Sequence, residues 1–214
     1  MKNQSKKIGM LVLVLFAYNP VYSEIKNSDI KWEEINDKEN VKVYSTEVPG
    51  SDILKIKTKT IVKASISKIQ SILDNVKHRK NWIPYLQESS IIEIKSDTEK
   101  FEYSLFSAPW PASDRDFVYK LTLISSNESN ITYQMTSVQH PGKPVTDDMI
   151  RADLMESTYI LTALSPQLTQ VELIFHADPR GWLPDWIINI IQRILPYMIL
   201  RNLREQATLI QQEI

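Results

Sequence analysis

The sequence predicts an α+β fold in one domain. Three observations carry that prediction. Short runs of alternating polar and apolar residues recur through the middle of the chain, separated by turn formers. One helical stretch interrupts them early, directly after Ser65. A second closes the chain and is apolar on nearly every side from 186 to 200. Strands, a helix, more strands and a final helix make an α+β order. The 214 residues suffice for one core of that kind, with room to tolerate an internal cavity.

The first two strands are expected over 41–48 and 53–62. Pro49-Gly50-Ser51-Asp52 between them is a cluster of turn formers. In the second strand, Ile53, Lys55, Lys57 and Lys59 face one way; Leu54, Ile56, Thr58 and Thr60 face the other. A sheet with one wet face fits this alternation. Ser65 is a good N-cap, and Ile66, Ile69, Ile72 with Leu73, and Val76 follow at helical spacing. The helix should end between 77 and 81, where Lys77, His78, Arg79 and Lys80 complement the negative end of its dipole. With Trp82, Pro84 and Tyr85 beside it, the same run has a second reading, a transient contact with anionic lipid headgroups.

Further strands are expected over 91–95, 100–106, 116–125, 131–138, 155–164 and 171–176. The 139–149 segment, with Pro141, Gly142 and Pro144, reads as an irregular loop. Pro184 and Asp185 suit a helix start. Only Asn189, Gln192 and Arg193 interrupt the apolar run that follows, and Pro196 should kink it. A helix of this composition is buried on most sides, as a plain core helix or between a sheet and a cavity.

The N-terminus reads as a targeting segment. Lys2, Lys6 and Lys7 precede a short apolar run over 8–17, and Asn19-Pro20 breaks it. Val21 and Ser23 then place small residues at −3 and −1 of a cleavage point after Ser23. This is the three-part pattern of a secretory signal peptide over 1–23. A membrane anchor needs about 20 apolar residues, roughly twice this run. Loss of the three Lys and no acid takes the formal charge from −1 to −4. The expectation is an exported domain over 24–214, periplasmic or secreted.

Composition excludes several classes. A net charge of −1 gives no basic face for nucleic acid. Absence of Cys excludes thiolate chemistry, zinc ribbons and a lipidated Cys. His78, His140 and His176 share no metal-ligand spacing, and four Gly make no phosphate-binding loop. No Gly-x-Ser-x-Gly elbow occurs. The expectation is therefore no metal, no cofactor and no catalytic residue. Asn127-Glu128-Ser129 and Asn130-Ile131-Thr132 match the short N-glycosylation pattern.

Three segments, in order, resemble the START family of lipid-binding domains. Ser113-Asp114-Arg115-Asp116-Phe117-Val118 is similar to the motif that opens a central strand in that family. Ile150-Arg151-Ala152 matches a second signature. Gly181-Trp182-Leu183-Pro184, Ile187-Ile188-Asn189 and Asn202-Leu203-Arg204 match a third. The resemblance implies a helix-grip fold, in which a curved antiparallel sheet wraps a long C-terminal helix. It implies a monomer that binds a lipid or other apolar molecule internally and carries it between membranes. Leu121 stands where animal sterol carriers of the family tend to place an Arg, which suggests a more apolar pocket or a polar anchor elsewhere.

Candidate cavity residues follow. Phe101, Tyr103, Phe117, Tyr119, Tyr133, Met135, Met155, Tyr159 and Phe175 come from strands. Ile187, Ile191, Ile194 and Met198 come from the last helix. Arg115 lies between Asp114 and Asp116, and Arg151 beside Asp153. Each fits either a structural ion pair, the commoner case, or a charge that meets a ligand headgroup. Two alternatives stand beside the carrier. One is an enzyme of the same fold that cyclises polyketides with pocket Arg and Tyr residues, for which Arg115, Arg151 and Tyr159 are the candidates. The other is a ligand sensor or scaffold with a filled pocket.

Overall fold

The computed structural model describes residues 31–209. The signal peptide expected over 1–23 lies outside them. Ten strands form one open, curved sheet in the order β1-β2-β3-β10-β9-β7-β6-β5-β4, and β8 adds on beside β6. The strands are β1 (Glu33–Lys38), β2 (Val41–Val48), β3 (Ser51–Val62), β4 (Leu86–Ile94), β5 (Glu99–Phe106), β6 (Arg115–Ser126), β7 (Asn130–Ser137), β8 (Ile150–Arg151), β9 (Asp153–Ser165) and β10 (Leu168–Asp178). Every neighbouring pair is antiparallel except the short β6–β8 pair.

The first edge strand, β1, was not expected. Its sequence, EEINDK, has no apolar alternation. It is held by backbone pairing to β2 across a tight turn, in which Glu39 and Asn40 both take positive φ, 55° and 59°. The other edge, β4, begins five residues before the expected 91, because its first half is polar and exposed on one side.

One crossover carries the chain between β3 and β4. Ser65 caps α1 (Ile66–Asp74), and its hydroxyl accepts from the Lys68 amide at 3.3 Å. A 3₁₀ helix over Val76–Asn81 continues it. The chain then meanders through β4 to β7, and β9 and β10 close back onto β3.

The last helix comes in two α-helical parts with a wider turn between them. These are α2 (Asp185–Asn189), a π-helical stretch over Ile190–Ile194, and α3 (Leu195–Leu209). Pro196 explains the break. It has no amide hydrogen for the preceding turn, and its ring crowds that turn's carbonyl, so the winding relaxes to π geometry just ahead of it. Along α3, Leu195, Ile199, Leu200, Leu203 and Ala207 form a buried stripe. That stripe packs with β2, β3, β10 and α1, where Val41, Val43, Ile56 and Ile69 are fully buried. Near the end of α3, Arg204 donates to the Glu39 carbonyl, which ties the helix to the β1–β2 turn.

Candidate functional site

A cavity of about 170 Å³, counted as space open to the centre of a water molecule, lies between the sheet and the last helix. Strand alternation builds most of its wall. Arg115, Phe117, Tyr119 and Leu121 are successive inward residues of β6. Tyr133 and Met135 come from β7, and Leu173, Phe175 and Ala177 from β10. Ile187, Ile190, Ile191, Leu195 and Ile199 close it from the last helix. Leu73, Trp82, Ile83 and Tyr85 from the crossover complete the apolar lining.

Of the expected residues, Arg115, Phe117, Tyr119, Tyr133, Met135, Tyr159, Phe175, Ile187 and Ile191 line this cavity. Phe101, Tyr103, Arg151, Met155, Ile194 and Met198 do not, and each has a physical reason. On β5 the inward residues are Glu102, Ser104 and Phe106, so Phe101 and Tyr103 point the other way. The 139–149 loop covers them there: Phe101 packs on the His140 ring at 4.9 Å, and Lys143 Nζ sits 3.8 Å from the centre of the Tyr103 ring. Met155 is displaced by a bulge. Pairing with β10 passes from His176↔Glu156 to Ala177↔Leu154, so Leu154 enters the wall and Met155 turns out, 38% exposed. Arg151 grips Asp116 with two bonds of 2.8 Å, and donates to the Lys143 and Pro144 carbonyls. Ile194, in the π stretch, faces outward. Met198 packs against the core cluster.

Arg115 reaches the wall with four of its five N–H groups committed. Its guanidinium donates to the carbonyls of Ser113, Pro179, Arg180 and Trp182. It therefore staples the 107–114 loop to the 179–183 loop where both border the cavity. Pro109 and Leu183 line the cavity while their neighbours Trp110 and Trp182 face solvent, 89% and 70% exposed. Trp186, next to Ile187, is exposed as well.

Sequence reasoning missed a polar cluster in the wall. Arg79 turns inward from the 3₁₀ helix, not outward with the exposed Lys77, His78 and Lys80. Its Nη1 lies 2.5 Å from a carboxylate oxygen of Glu102, which is 0% exposed. Arg79 Nε and Nη2 donate to the Leu73 carbonyl at 3.0 and 2.8 Å. The Tyr119 hydroxyl donates to Glu102 at 3.0 Å and lies 3.1 Å from Ser104 Oγ. Lys100 reaches Glu102 from its partly exposed side at 3.0 Å. Burial alone would pull the Arg79 guanidinium down, but the charge of Glu102 outweighs it and holds Arg79 above its ordinary range. Burial would likewise push Glu102 up, and Arg79 with Lys100 holds it below the usual carboxylate range instead. Burial pushes the Tyr119 and Tyr159 phenols well up, so both are neutral hydroxyls at physiological pH.

A signal for Arg79 was present. Leu73, Val76, Arg79 and Trp82 recur every third residue, the period of a 3₁₀ helix, and the other three are apolar. Among the described residues, no group of three or more His, Asp or Glu is placed to hold a metal.

The START domain family model matches residues 17–196. The chain belongs to the START family. An uncharacterized protein of Pseudomonas aeruginosa is 24% identical over 176 residues, covering 82% of this chain and 86% of that one. Human START domain-containing protein 10 is 24% identical over 121 residues, and the match spans only 41% of its length. Among solved structures, a STAR-related lipid transfer protein from Xanthomonas axonopodis superposes with a TM-score of 0.71 at 26% identity, covering 83% of this chain and 98% of that one. The helix-grip arrangement, a curved antiparallel sheet holding a long C-terminal helix, is that of this START protein.

Proposed function

We propose that this START protein is a lipid carrier without catalytic chemistry. It holds one apolar molecule in the cavity under the last helix and exchanges it with membranes. The observation that carries the reading is an apolar internal cavity in a chain of this family. Desolvation supplies the driving force, at about 0.8 kcal/mol for each methylene removed from water. A cavity of about 170 Å³ is small beside the roughly 300–1,000 Å³ of sites for drug-sized ligands. Loading a long chain therefore requires the wall to move. The π-helical stretch carries Ile190 and Ile191 of that wall and has the irregular winding that permits movement.

The exposed indoles of Trp110, Trp182 and Trp186, beside cavity-lining residues, suit contact with a lipid surface, where amphipathic Trp is favoured. The name of the Xanthomonas relative, a lipid transfer protein, supports carriage. The cyclase alternative keeps one of its three candidates with a free group in the cavity, Tyr159: Arg151 is outside the cavity, and Arg115 is bonded to four carbonyls. The working form is an exported monomer over 24–214.

Native mass spectrometry of the protein after incubation with a total lipid extract tests the reading. A carrier retains one lipid per chain. A chain that retains none, under conditions that load a known carrier, ends the proposal. Deletion of residues 1–23 tests export separately: fractionation should then find the protein in the cytoplasm, and normal export of the truncated chain would remove the signal assignment.

A further inference from the structure

Ser157 and Tyr159 are two positions apart on β9, so their side chains share one face, and both line the cavity. Both are deeply buried, 6% and 9% exposed. Their cross-strand partners, Met135 and Tyr133 on β7 and Phe175 and Leu173 on β10, line the same space. Neither hydroxyl has a hydrogen-bond partner among the described residues, and in the same wall Trp82 Nε1 is likewise unpartnered. Buried hydroxyls are ordinarily partnered, because leaving one unmet costs free energy. Two of them side by side facing an apolar hollow fit a ligand that brings its own polar atom.

The neighbouring ions define which polar atom. The five N–H groups of Arg79 are committed to the Leu73 carbonyl, both oxygens of Glu102 and the Tyr119 oxygen. No fork is left to grip a phosphate or carboxylate. Charge is balanced as well: Arg79 and Lys100 stand against Glu102 and Asp74. An anionic headgroup here would be a buried charge without a counter-ion. Ser157 and Tyr159 each offer a neutral donor and acceptor instead.

We propose, on the footing that the cavity holds an apolar ligand, that Ser157 and Tyr159 form a subsite for the hydroxyl or carbonyl oxygen of an uncharged lipid, which lies with that oxygen against β9 and its hydrocarbon against the last helix. The ligand class is a neutral long-chain amphiphile with one small polar group. Beside Ser157 and Tyr159 the committed Arg79 and the paired charges disfavour a phosphate or carboxylate, and Arg115, the other guanidinium of the wall, is bonded to four backbone carbonyls. The subsite also compensates for Leu121, since the polar anchor comes from β9 and not from β6.

Three probes with the same chain test this on the purified full-length protein: dodecane, 1-dodecanol and dodecyl phosphate, the last kept below micelle formation. Tyr159→Phe and Ser157→Ala remove one oxygen each and leave the wall nearly unchanged. For 1-dodecanol each variant should weaken binding several-fold, and the double variant about tenfold or more, as loss of one to two hydrogen bonds predicts. Dodecane affinity should not change, which shows that the cavity survives the substitutions. Wild-type protein should bind dodecyl phosphate more weakly than 1-dodecanol. Unchanged 1-dodecanol binding in the double variant overturns the subsite while leaving the container intact. Tighter binding of dodecyl phosphate than of 1-dodecanol overturns the neutral class. Uptake of none of the three removes the container itself.

Discussion

Arg79 and Glu102 meet inside the wall of the cavity, 2.5 Å apart, one from the 3₁₀ helix of the crossover and the other from the inward face of β5. The pair joins the two structural layers that must stay together for a hollow to exist between them. Its geometry meets the conditions under which a buried ion pair is tolerated: both carboxylate oxygens are bound, and every guanidinium donor has an acceptor.

Removing Glu102 strands Arg79, whereas removing Arg79 leaves Glu102 with Lys100 at 3.0 Å. Glu102→Leu should therefore destabilise the fold by about 3–5 kcal/mol, the usual cost of an uncompensated buried charge, and Arg79→Met by less. Arg79→Met combined with Glu102→Leu should cost clearly less than the sum of the two single changes. Urea unfolding of the four proteins measures this. Strictly additive losses would show that the two residues are not energetically coupled.

His176 gives a pH dependence. It is buried on β10, with Nε2 3.4 Å from Ser51 Oγ. Burial, with the Lys55 charge nearby, holds its pKa below the ordinary 6.5. The unfolded chain thus takes up this proton at a higher pH than the folded one. The stabilisation is fully present above about pH 6.5 and is lost as pH falls through the lower folded value. The midpoint urea concentration should decline as pH falls below about 6.5. His176→Leu should flatten that part of the curve; an unaltered slope in the variant would assign the decline to another group.

The positions of most strands, the Ser65 cap and the long closing helix were legible because each rests on a local rule: alternation, capping and apolar content. The cavity wall was only half legible. Parity on β5 was misread because the 139–149 loop buries the outer face too, so Phe101 and Tyr103 find apolar cover on the side away from the cavity. Alternation along β9 put Met155 with Tyr159, and a bulge undid it between 154 and 156. Bulges depend on the partner strand, and no residue in this stretch announces one. Arg79 was hidden among exposed cations, where composition favours a solvated run over a single inward turn.

The helix that closes the cavity separates two kinds of apolar position. Ile191 lines the cavity, whereas Met198 packs against the core. Ile191→Arg should abolish lipid retention by placing a charge in the hollow, with strand content by circular dichroism unchanged. Met198→Arg should lower the melting temperature instead, and whatever fraction stays folded should still load. Native mass spectrometry beside thermal melting reads both. Full lipid retention by folded Ile191→Arg would mean that the ligand lies elsewhere.

Membrane contact separates from storage in the same way. Trp110 and Trp182 extend from loops that Arg115 staples together, so the two indoles are held on adjoining segments. Neither side chain lines the cavity. Trp110→Ala with Trp182→Ala should therefore leave the lipid bound in solution untouched. Partitioning onto neutral phosphatidylcholine vesicles should fall about tenfold or more, since each apolar side chain withdrawn from water is worth roughly 1.5–3 kcal/mol. Vesicle co-sedimentation measures the partitioning, and transfer of a fluorescent lipid between vesicle populations should slow in parallel. Arg115→Lys, which keeps the charge but cannot bond four carbonyls at once, should produce a weaker form of the same defect. Normal partitioning by the double Trp variant would move the membrane-facing surface away from these loops.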